Sequence, residues 1–224
     1  VSENTAKPIY TGSLYEIEDG VFKIIAIDGY RMAIRSENVD SESKNRFVVP
    51  GKTQHEVLKL LTDDEENTEI IIGQRHITFK IKNYRIISRL IEGTFIEYKS
   101  AIPKETKTEV VINTRTIIDA VERMSLLNND RIQSPVRCIF SDDEIKLSCT
   151  SAVGRANDVI SVPIIGESVE IGFNNRYLLD ALKNADTDEI KLILNGSLTA
   201  MIVKPVKGDS YLSIVVPMRL ANEN

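Results

Sequence analysis

Acidic residues are the side chains of this sequence that are best suited to catalysis. Asp28 precedes a glycine at the end of an apolar run, and residues 63–66 form the densest acidic run, Asp-Asp-Glu-Glu. Such carboxylates could hold a divalent cation that activates water, as in a metal-dependent α+β hydrolase. However, an Asp-Gly pair is typical of a turn, and an acidic run after a helical pattern is typical of a solvated loop.

The histidines and cysteines do not add ligands or catalytic groups to such a metal-dependent site. His55 and His76 have no acidic or cysteine neighbours at the spacing of a zinc site, and no phosphate-binding glycine loop occurs. Cys138 and Cys149 fall on neighbouring predicted strands and are expected to be reduced thiols of a cytosolic protein. No set of nucleophile, base and orienting group can be assembled. The sequence therefore argues against an enzyme and predicts neither a metal nor a cofactor.

The chain that must position these residues is dominated by strand patterns. In the stretch SLYEIEDGVFKIIAID, two alternating apolar and polar runs flank Asp19 and Gly20, which predicts a β-hairpin. Similar runs predict antiparallel strands that turn near residues 73–74, 82–83, 142–143 and 195–196. Alternation of this kind is expected of strands with one buried face.

Three segments change from strand to helix periodicity. Residues 52–62, 113–127 and 174–185 carry apolar side chains three or four positions apart, and each follows a short strand. Their recurrence predicts a repeated unit of one strand, one helix and further strands. We therefore expect an α+β fold of two domains, each with antiparallel sheets on the outside and helices on the inner face.

The polar segment 101–110 is the predicted boundary between the two domains. It contains Pro103 and divides the chain into domains 1–104 and 105–224. Counted backwards, the strands between Tyr10 and Arg35 resemble the later part of a unit that lacks its opening strand and helix. We expect on this ground that such a segment precedes residue 1.

The charge distribution gives a weak indication of a nucleic-acid partner. The formal net charge is −5, which by itself does not favour nucleic-acid binding. The three predicted helices nevertheless carry a small excess of basic residues, and an acidic protein can present one basic face. An ordinary solvated helix surface would give the same pattern. No run of 18 apolar residues occurs, so the sequence predicts no membrane-spanning helix.

Four sequence blocks occur in an order that is typical of one protein family. They are AIDGYRMAI at 26–34, SRLIEGTFIEYKSAIPK at 88–104, EIGFNNRYLLDAL at 170–182 and VVPMRL at 215–220. With the repeated unit, they resemble the bacterial DNA polymerase III β subunit, the sliding clamp. The resemblance covers the whole chain and corresponds to most of the middle domain and all of the last domain of that three-domain family.

The resemblance implies a DNA clamp fold and a non-catalytic function in replication. Two three-domain subunits of the family close head to tail into a homodimeric ring that encircles duplex DNA without reading its sequence. The ring is a processivity factor that tethers polymerase subunits, the clamp loader and repair proteins through short clamp-binding peptides. The protein is accordingly expected to be cytoplasmic, associated with the nucleoid and independent of membranes.

The resemblance also implies a hydrophobic peptide-binding cleft between the middle and last domains. Apolar anchors and a glutamine of the partner peptide would bind there, and methionines would let one cleft serve several ligands. Ile96 stands where many family members have proline, and Pro217 is expected to end the pairing of the last strand. The implied cleft residues are Tyr10, Ile27, Gly29, Tyr30, Arg31, Met32, Ile96, Ala101, Asn174, Tyr177, Leu198, Ala200, Ile214, Val215, Val216, Pro217, Met218, Arg219 and Leu220.

Two further surfaces follow from the resemblance. Lys7 and Lys52 would face the DNA, although Gly51 takes a place where relatives carry basic residues. Leu126 and Leu127, at the end of the second predicted helix, would form the subunit interface. Because the first domain of the family is absent, we expect this chain not to close a ring, and light scattering at micromolar concentration would test this.

Overall fold

The computed structural model of the protein describes residues 1–62, 67–127 and 134–220. The acidic run 63–66, which the sequence proposed as a candidate metal-binding stretch, lies outside the described residues. Within the described residues, no helix is both long enough and apolar enough to cross a membrane.

The chain divides into two compact units. Unit 1 comprises Val1–Gly29 and Ile34–Ile96, and unit 2 comprises Tyr30–Ala33 and Glu97–Asn224. The short segment Tyr30–Ala33 therefore belongs to unit 2, although in the sequence it is surrounded by unit 1.

Unit 1 is built from antiparallel strands and one helix. Its elements are β1 (Gly12–Glu18), β2 (Val21–Ile27), β3 (Arg31–Asn38, of which residues 34–38 belong to this unit), β4 (Asn45–Pro50), α1 (Gly51–Leu60), β5 (Glu69–Ile72), β6 (His76–Ile81) and β7 (Tyr84–Arg89). Strand β1 pairs with β2 and β4, and β6 pairs with β5 and β7. The predicted hairpin between β1 and β2 is present, with Asp19 and Gly20 at positive φ angles of 52° and 73°.

The core of unit 1 follows from alternation along its strands. Along β6, Ile77, Phe79 and Ile81 are buried, whereas the intervening residues are more exposed. They pack with Tyr15 and with Val57, the buried residue of α1. The period of two on the strand thus places one face of the sheet against the helix.

Unit 2 contains two sheets and two helices. Its elements are β8 (Thr108–Asn113), α2 (Thr114–Ser125), β9 (Val136–Ser141), β10 (Glu144–Ser151), β11 (Gly154–Ser161), β12 (Ile164–Gly166), β13 (Val169–Phe173), α3 (Asn175–Lys183), β14 (Glu189–Leu194), β15 (Met201–Pro205) and β16 (Tyr211–Val215). The strand order is β12-β8-β14-β15-β16 in one sheet and β11-β10-β9-β13 in the other. The first residues of β3, 31–33, lie beside β16.

Helices α2 and α3 pack against each other and close the core of unit 2. Their buried side chains recur at helical spacing, with Ile117, Val121 and Met124 on α2 and Leu178 and Leu182 on α3. The spacing produces one apolar stripe on each helix, and the stripes meet alternating buried residues of both sheets.

The predicted α+β architecture of antiparallel sheets with helices packed against them is present in each unit. The three predicted helices are present but shorter, at Gly51–Leu60, Thr114–Ser125 and Asn175–Lys183. Helix α1 begins at Gly51, one residue before the predicted start, and Pro50 at φ −57° and ψ 138° directly precedes its first turn. Strand β12 is an additional short element that the periodicity did not indicate, since three residues are too few for a pattern.

Candidate peptide-binding site

The first turn of α3 positions the central aromatic residue of the candidate site. The Oδ1 atom of Asn174 accepts hydrogen bonds from the backbone N–H groups of Arg176, at 3.0 Å, and of Tyr177, at 3.2 Å. This is an N-cap, which satisfies donors that the helix itself leaves unpaired. The cap and the buried Leu178 fix the direction in which Tyr177 leaves the helix.

Two side chains of unit 2 contact the ring of Tyr177, and a third pairs with one of them. The ring of Tyr30 stacks on it with 5.9 Å between the centroids and 22° between the planes. The guanidinium carbon of Arg31 lies 4.5 Å from the centroid of the Tyr177 ring, at the distance of a cation–π contact. The guanidinium also forms an ion pair with Asp180, one turn further along α3. Tyr30 remains 61% exposed, so the cluster presents an aromatic surface.

Backbone hydrogen bonds attach this cluster to the end of β16. The N–H of Val216 donates to the carbonyl oxygen of Tyr30 at 2.9 Å. The hydroxyl of Ser213 donates to the carbonyl oxygen of Met32 at 3.0 Å and is itself buried. Val216 is 41% exposed beside the exposed Tyr30. The last strand and the GYRM segment therefore form one surface within unit 2.

The chain beyond Pro217 crosses to the other sheet of unit 2. The N–H of Met218 donates to the carbonyl oxygen of Gly172 on β13 at 2.8 Å, and the two residues form a β-bridge. Pro217 thus ends the pairing of the last strand, as expected, and pairing resumes at Met218 with a different strand. A Cβ atom on Gly172 would lie 2.6 Å from Cδ2 of Leu220, so the missing side chain makes room for the tail.

A groove of about 470 Å³ adjoins Leu220 and was not anticipated from the sequence. It is lined by Arg137, Ser168, Val169, Glu170, Gly196, Ser197 and Leu220. Arg137 and Glu170 form an ion pair across β9 and β13. A glycine inside a strand often marks the close approach of another segment, and Gly172 was the one signal that could have indicated this region.

The remaining predicted cleft residues of unit 2 differ in exposure. Met32, Ile214 and Val215 are buried, so they can support a surface but offer little area to a ligand. Leu198 is 81% exposed in the loop between β14 and β15. Ala101, the last residue of a 3₁₀ turn at Tyr98–Ala101, is exposed. The other positions are Ala200 and Pro217, which are half-buried, and Arg219, which is exposed.

The predicted cleft residues of unit 1 occupy two local arrangements. Tyr10 packs edge-on against Phe95 with 6.0 Å between the centroids, and Ile96, which follows Phe95, is 43% exposed. Nζ of Lys7 lies 5.8 Å from the centroid of the Tyr10 ring. Ile27 ends β2, and Gly29 lies in the following turn at a φ of +95°. Ile27 thus lies at the end of a strand, Gly29 in a turn and Tyr10 in the 3₁₀ helix Pro8–Thr11.

Hydrolytic chemistry finds no support in the described part of the chain. Asp28 lies in the turn that follows β2, as the Asp-Gly pair indicated. Among residues 1–62, 67–127 and 134–220, no group of three or more histidine, cysteine, aspartate or glutamate side chains could hold a metal ion. Cys138 and Cys149 are buried, and burial raises the pKa of the Cys138 thiol to about 12, which suppresses its thiolate.

Comparison with known families covers both units. The family model of the DNA polymerase III beta subunit, C-terminal domain, matches residues 99–219, and that of the central domain matches residues 1–97. The chain belongs to the DNA polymerase III beta subunit family. The resemblance carried by the four sequence blocks is therefore confirmed.

Individual relatives agree with that assignment. The chain is 30% identical to the Beta sliding clamp of Halalkalibacterium halodurans, and the match covers 98% of this chain and 60% of the relative. The Beta sliding clamp of Bacillus subtilis is also 30% identical, with 98% and 59% covered. The chain thus spans about 60% of the length of the curated relatives it matches.

Solved structures of the family superimpose closely on the chain. The DNA polymerase sliding clamp of Bacillus subtilis gives a TM-score of 0.95 at 30% identity, covering 99% of this chain and 60% of that one. The sliding clamp of Pseudomonas aeruginosa bound to griselimycin gives a TM-score of 0.89 at 29% identity, covering 94% and 57%.

Proposed function

We propose that this chain is the peptide-binding part of a β sliding clamp, a non-catalytic processivity factor of bacterial DNA replication. The observation that carries the proposal is the surface of unit 2 formed by Tyr30, Arg31, Tyr177 and Val216, from which the chain continues through Pro217 to Met218. It combines exposed aromatic and aliphatic area with a few fixed polar groups, as a site for short peptides requires. The match of both units to the beta subunit family supports it.

The proposed ligands are short segments of polymerase subunits, the clamp loader and repair proteins. Leucine or phenylalanine anchors of such a peptide would pack on the apolar part of the surface, and its glutamine would bind polar groups. A related clamp from Pseudomonas aeruginosa has been solved bound to griselimycin. This supports the capacity of the fold to bind a compact ligand.

Titration calorimetry with a short blocked peptide that carries a glutamine and leucine and phenylalanine anchors tests the proposal. We expect binding at micromolar concentration or tighter, and a loss of about tenfold or more for Tyr177→Ala combined with Met218→Ala, because anchor residues carry most of the binding energy. Tyr84→Ala is the matched control, since Tyr84 is 60% exposed and is not a predicted cleft residue. Absence of binding to the unchanged chain contradicts the proposed function.

The proposed clamp also contacts duplex DNA through weak, sequence-independent attraction. Cations on the helices are partly compensated: Arg115 pairs with Asp119 at 2.8 Å, and Lys183 pairs with Glu122 at 2.6 Å. The hydrogen bond from Lys183 lowers the pKa of Glu122, so that this carboxylate stays charged. A partly neutralised helix surface favours movement along phosphates over tight retention.

Lys7 and Lys52 are the proposed phosphate contacts of unit 1, and both are exposed. Lys52→Ala is expected to reduce the salt dependence of duplex binding by about one released counterion, measured by fluorescence anisotropy over a range of salt concentrations. Lys207→Ala, which removes an exposed lysine from the turn before β16, is the control. Equal slopes for both variants contradict the assignment of Lys52.

The end of α2 is the proposed subunit contact of the homodimeric ring. Leu126 is 82% exposed directly after the helix, whereas Leu127 packs partly against the core of unit 2. The family resemblance implies that the partner surface belongs to the first of the family's three domains.

A further inference from the structure

We propose that Asp180 positions Arg31 and thereby sets the charge preference of the peptide-binding surface. The inference rests on the proposed function and concerns a residue outside the predicted cleft. Asp180 lies three residues after Tyr177 on α3, so one helical turn places the carboxylate and the aromatic ring on the same side. Arg31 meets both of them, at the start of β3.

The geometry fixes the guanidinium group from two directions. Its carbon lies 4.5 Å from the centroid of the Tyr177 ring, while its Nη1 atom pairs with Oδ2 of Asp180. A planar guanidinium suits this arrangement, because it can stack on a ring and donate in its own plane at once. The carboxylate therefore determines where over Tyr177 the positive charge rests.

Asp180 also compensates the charge that it positions. The side chains of Arg31 and Asp180 are 28% and 49% exposed, so both charges are available to a ligand on the surface. With the pair intact, Arg31 contributes little net charge to the site. Without the carboxylate, one negative charge fewer lies beside the guanidinium group, so a peptide would meet a more positive surface next to Tyr30 and Tyr177.

The test uses three blocked peptides with the same anchors that carry glutamate, serine or lysine at one non-anchor position. Asp180→Asn is expected to shift the ratio of affinities for the glutamate and lysine peptides by about three- to tenfold in favour of glutamate. The shift should shrink in about 1 M salt, because screening weakens a charge effect. Asp180→Glu should retain the unchanged ratio.

Asp209→Asn is the matched control. It removes an acidic charge from the turn before β16, whereas the peptide-binding surface adjoins the other end of that strand. The control should leave all three affinities unchanged. Equal changes for the three peptides in Asp180→Asn would overturn the inference while leaving the proposed function intact. Failure of every peptide to bind the unchanged chain would instead overturn the proposed function.

A second measurement examines the positioning without any ligand. The ring current of Tyr177 should shift the side-chain proton signals of Arg31 upfield in the NMR spectrum, because the guanidinium lies over the ring. In Asp180→Asn these signals should move towards the values of an unstructured arginine. Unchanged signals would show that Asp180 does not position Arg31 and would overturn the inference regardless of peptide binding. The variant is expected to fold, since exposed ion pairs contribute little stability.

Discussion

The backbone N–H of Met218 donates to the carbonyl oxygen of Gly172 at 2.8 Å, although Pro217 separates Met218 from the last regular strand. This bond lies on the outer edge of β13, whose other edge pairs with β9. It holds the chain end on one sheet of unit 2 while Val216 remains attached to Tyr30 beside the other sheet. The tail thus links the two sheets of the unit.

Gly172→Ala is expected to displace this tail. The new Cβ atom would lie 2.6 Å from Cδ2 of Leu220 and 3.0 Å from the carbonyl oxygen of Met218. Overpacking of this kind costs about 1–3 kcal/mol, and here the cost can be avoided if the tail detaches. Hydrogen exchange of the Met218 amide should accelerate, and peptide affinity should fall. Leu220→Ala in the same chain removes the nearest clashing atoms and should partly restore the protection of the Met218 amide. Strictly additive effects of the two substitutions on this exchange would contradict a direct clash.

Removal of the N-cap of α3 is expected to weaken peptide binding beyond its effect on stability. Asn174→Ala deprives the N–H groups of Arg176 and Tyr177 of their acceptor and should lower the free energy of unfolding by about 1 kcal/mol. The freed first turn carries Tyr177, so peptide affinity should fall as well. Calorimetry and urea unfolding measure the two effects.

Asn113 provides the matched control, since its Oδ1 atom caps α2 by accepting from the N–H of Thr116 at 3.0 Å. Asn113→Ala should lower the stability by a similar amount and leave peptide affinity unchanged. If both variants weaken peptide binding equally, the loss of affinity in Asn174→Ala does not arise from a changed position of Tyr177.

Truncation after Pro217 is expected to abolish or strongly reduce peptide binding while leaving the fold intact. It removes Met218 and Leu220 but retains β16 and its pairing with β15. Truncation after Leu220 is the control and should bind as the full chain does. Circular dichroism establishes that both shortened chains are folded. Unchanged affinity after the first truncation would exclude the tail from the binding surface.

The stability of the protein is expected to fall at alkaline pH. Burial raises the pKa of the Cys138 thiol from 9.0 to about 12 and that of the Tyr15 hydroxyl from 10.0 to about 12. Above the ordinary pKa the unfolded chain loses these protons while the native protein keeps them, so rising pH favours unfolding. Each group contributes up to about 1.4 kcal/mol per pH unit in its window. The contribution of each group to the free energy of unfolding is fully present below its ordinary pKa, which is 9.0 for Cys138 and 10.0 for Tyr15. It is lost as the pH rises from that value towards about 12.

Urea unfolding between about pH 8 and pH 10 measures this dependence. Cys138→Ala should flatten the fall in the free energy of unfolding that begins near the ordinary thiol pKa. Val136→Ala, at another fully buried position of β9, creates a comparable cavity without removing an ionisable group. It should destabilise the protein equally at both pH values. A steep fall that persists in Cys138→Ala would assign the dependence to other groups.

Periodicity located the helices and most strands because their buried residues repeat within a single element. Strand β9, in which Val136, Cys138 and Phe140 are buried, shows such a pattern. The site depends on contacts that no local pattern encodes. In the sequence, Asp180 is indistinguishable from any other polar residue of a helix surface. Its proposed positioning role follows only from its contact with Arg31, which lies 149 positions earlier. The bridge from Met218 to Gly172 is non-local in the same way.

The burial of both cysteines makes the protein suited to selective chemical labelling. Cys138 and Cys149 are buried, and the raised pKa of Cys138 further lowers its reactivity towards maleimides. A cysteine introduced at the exposed Ser197 would therefore react with high selectivity in the native chain. An environment-sensitive fluorophore at that position, on the rim of the groove next to Leu220, would report directly when a ligand occupies the neighbouring surface.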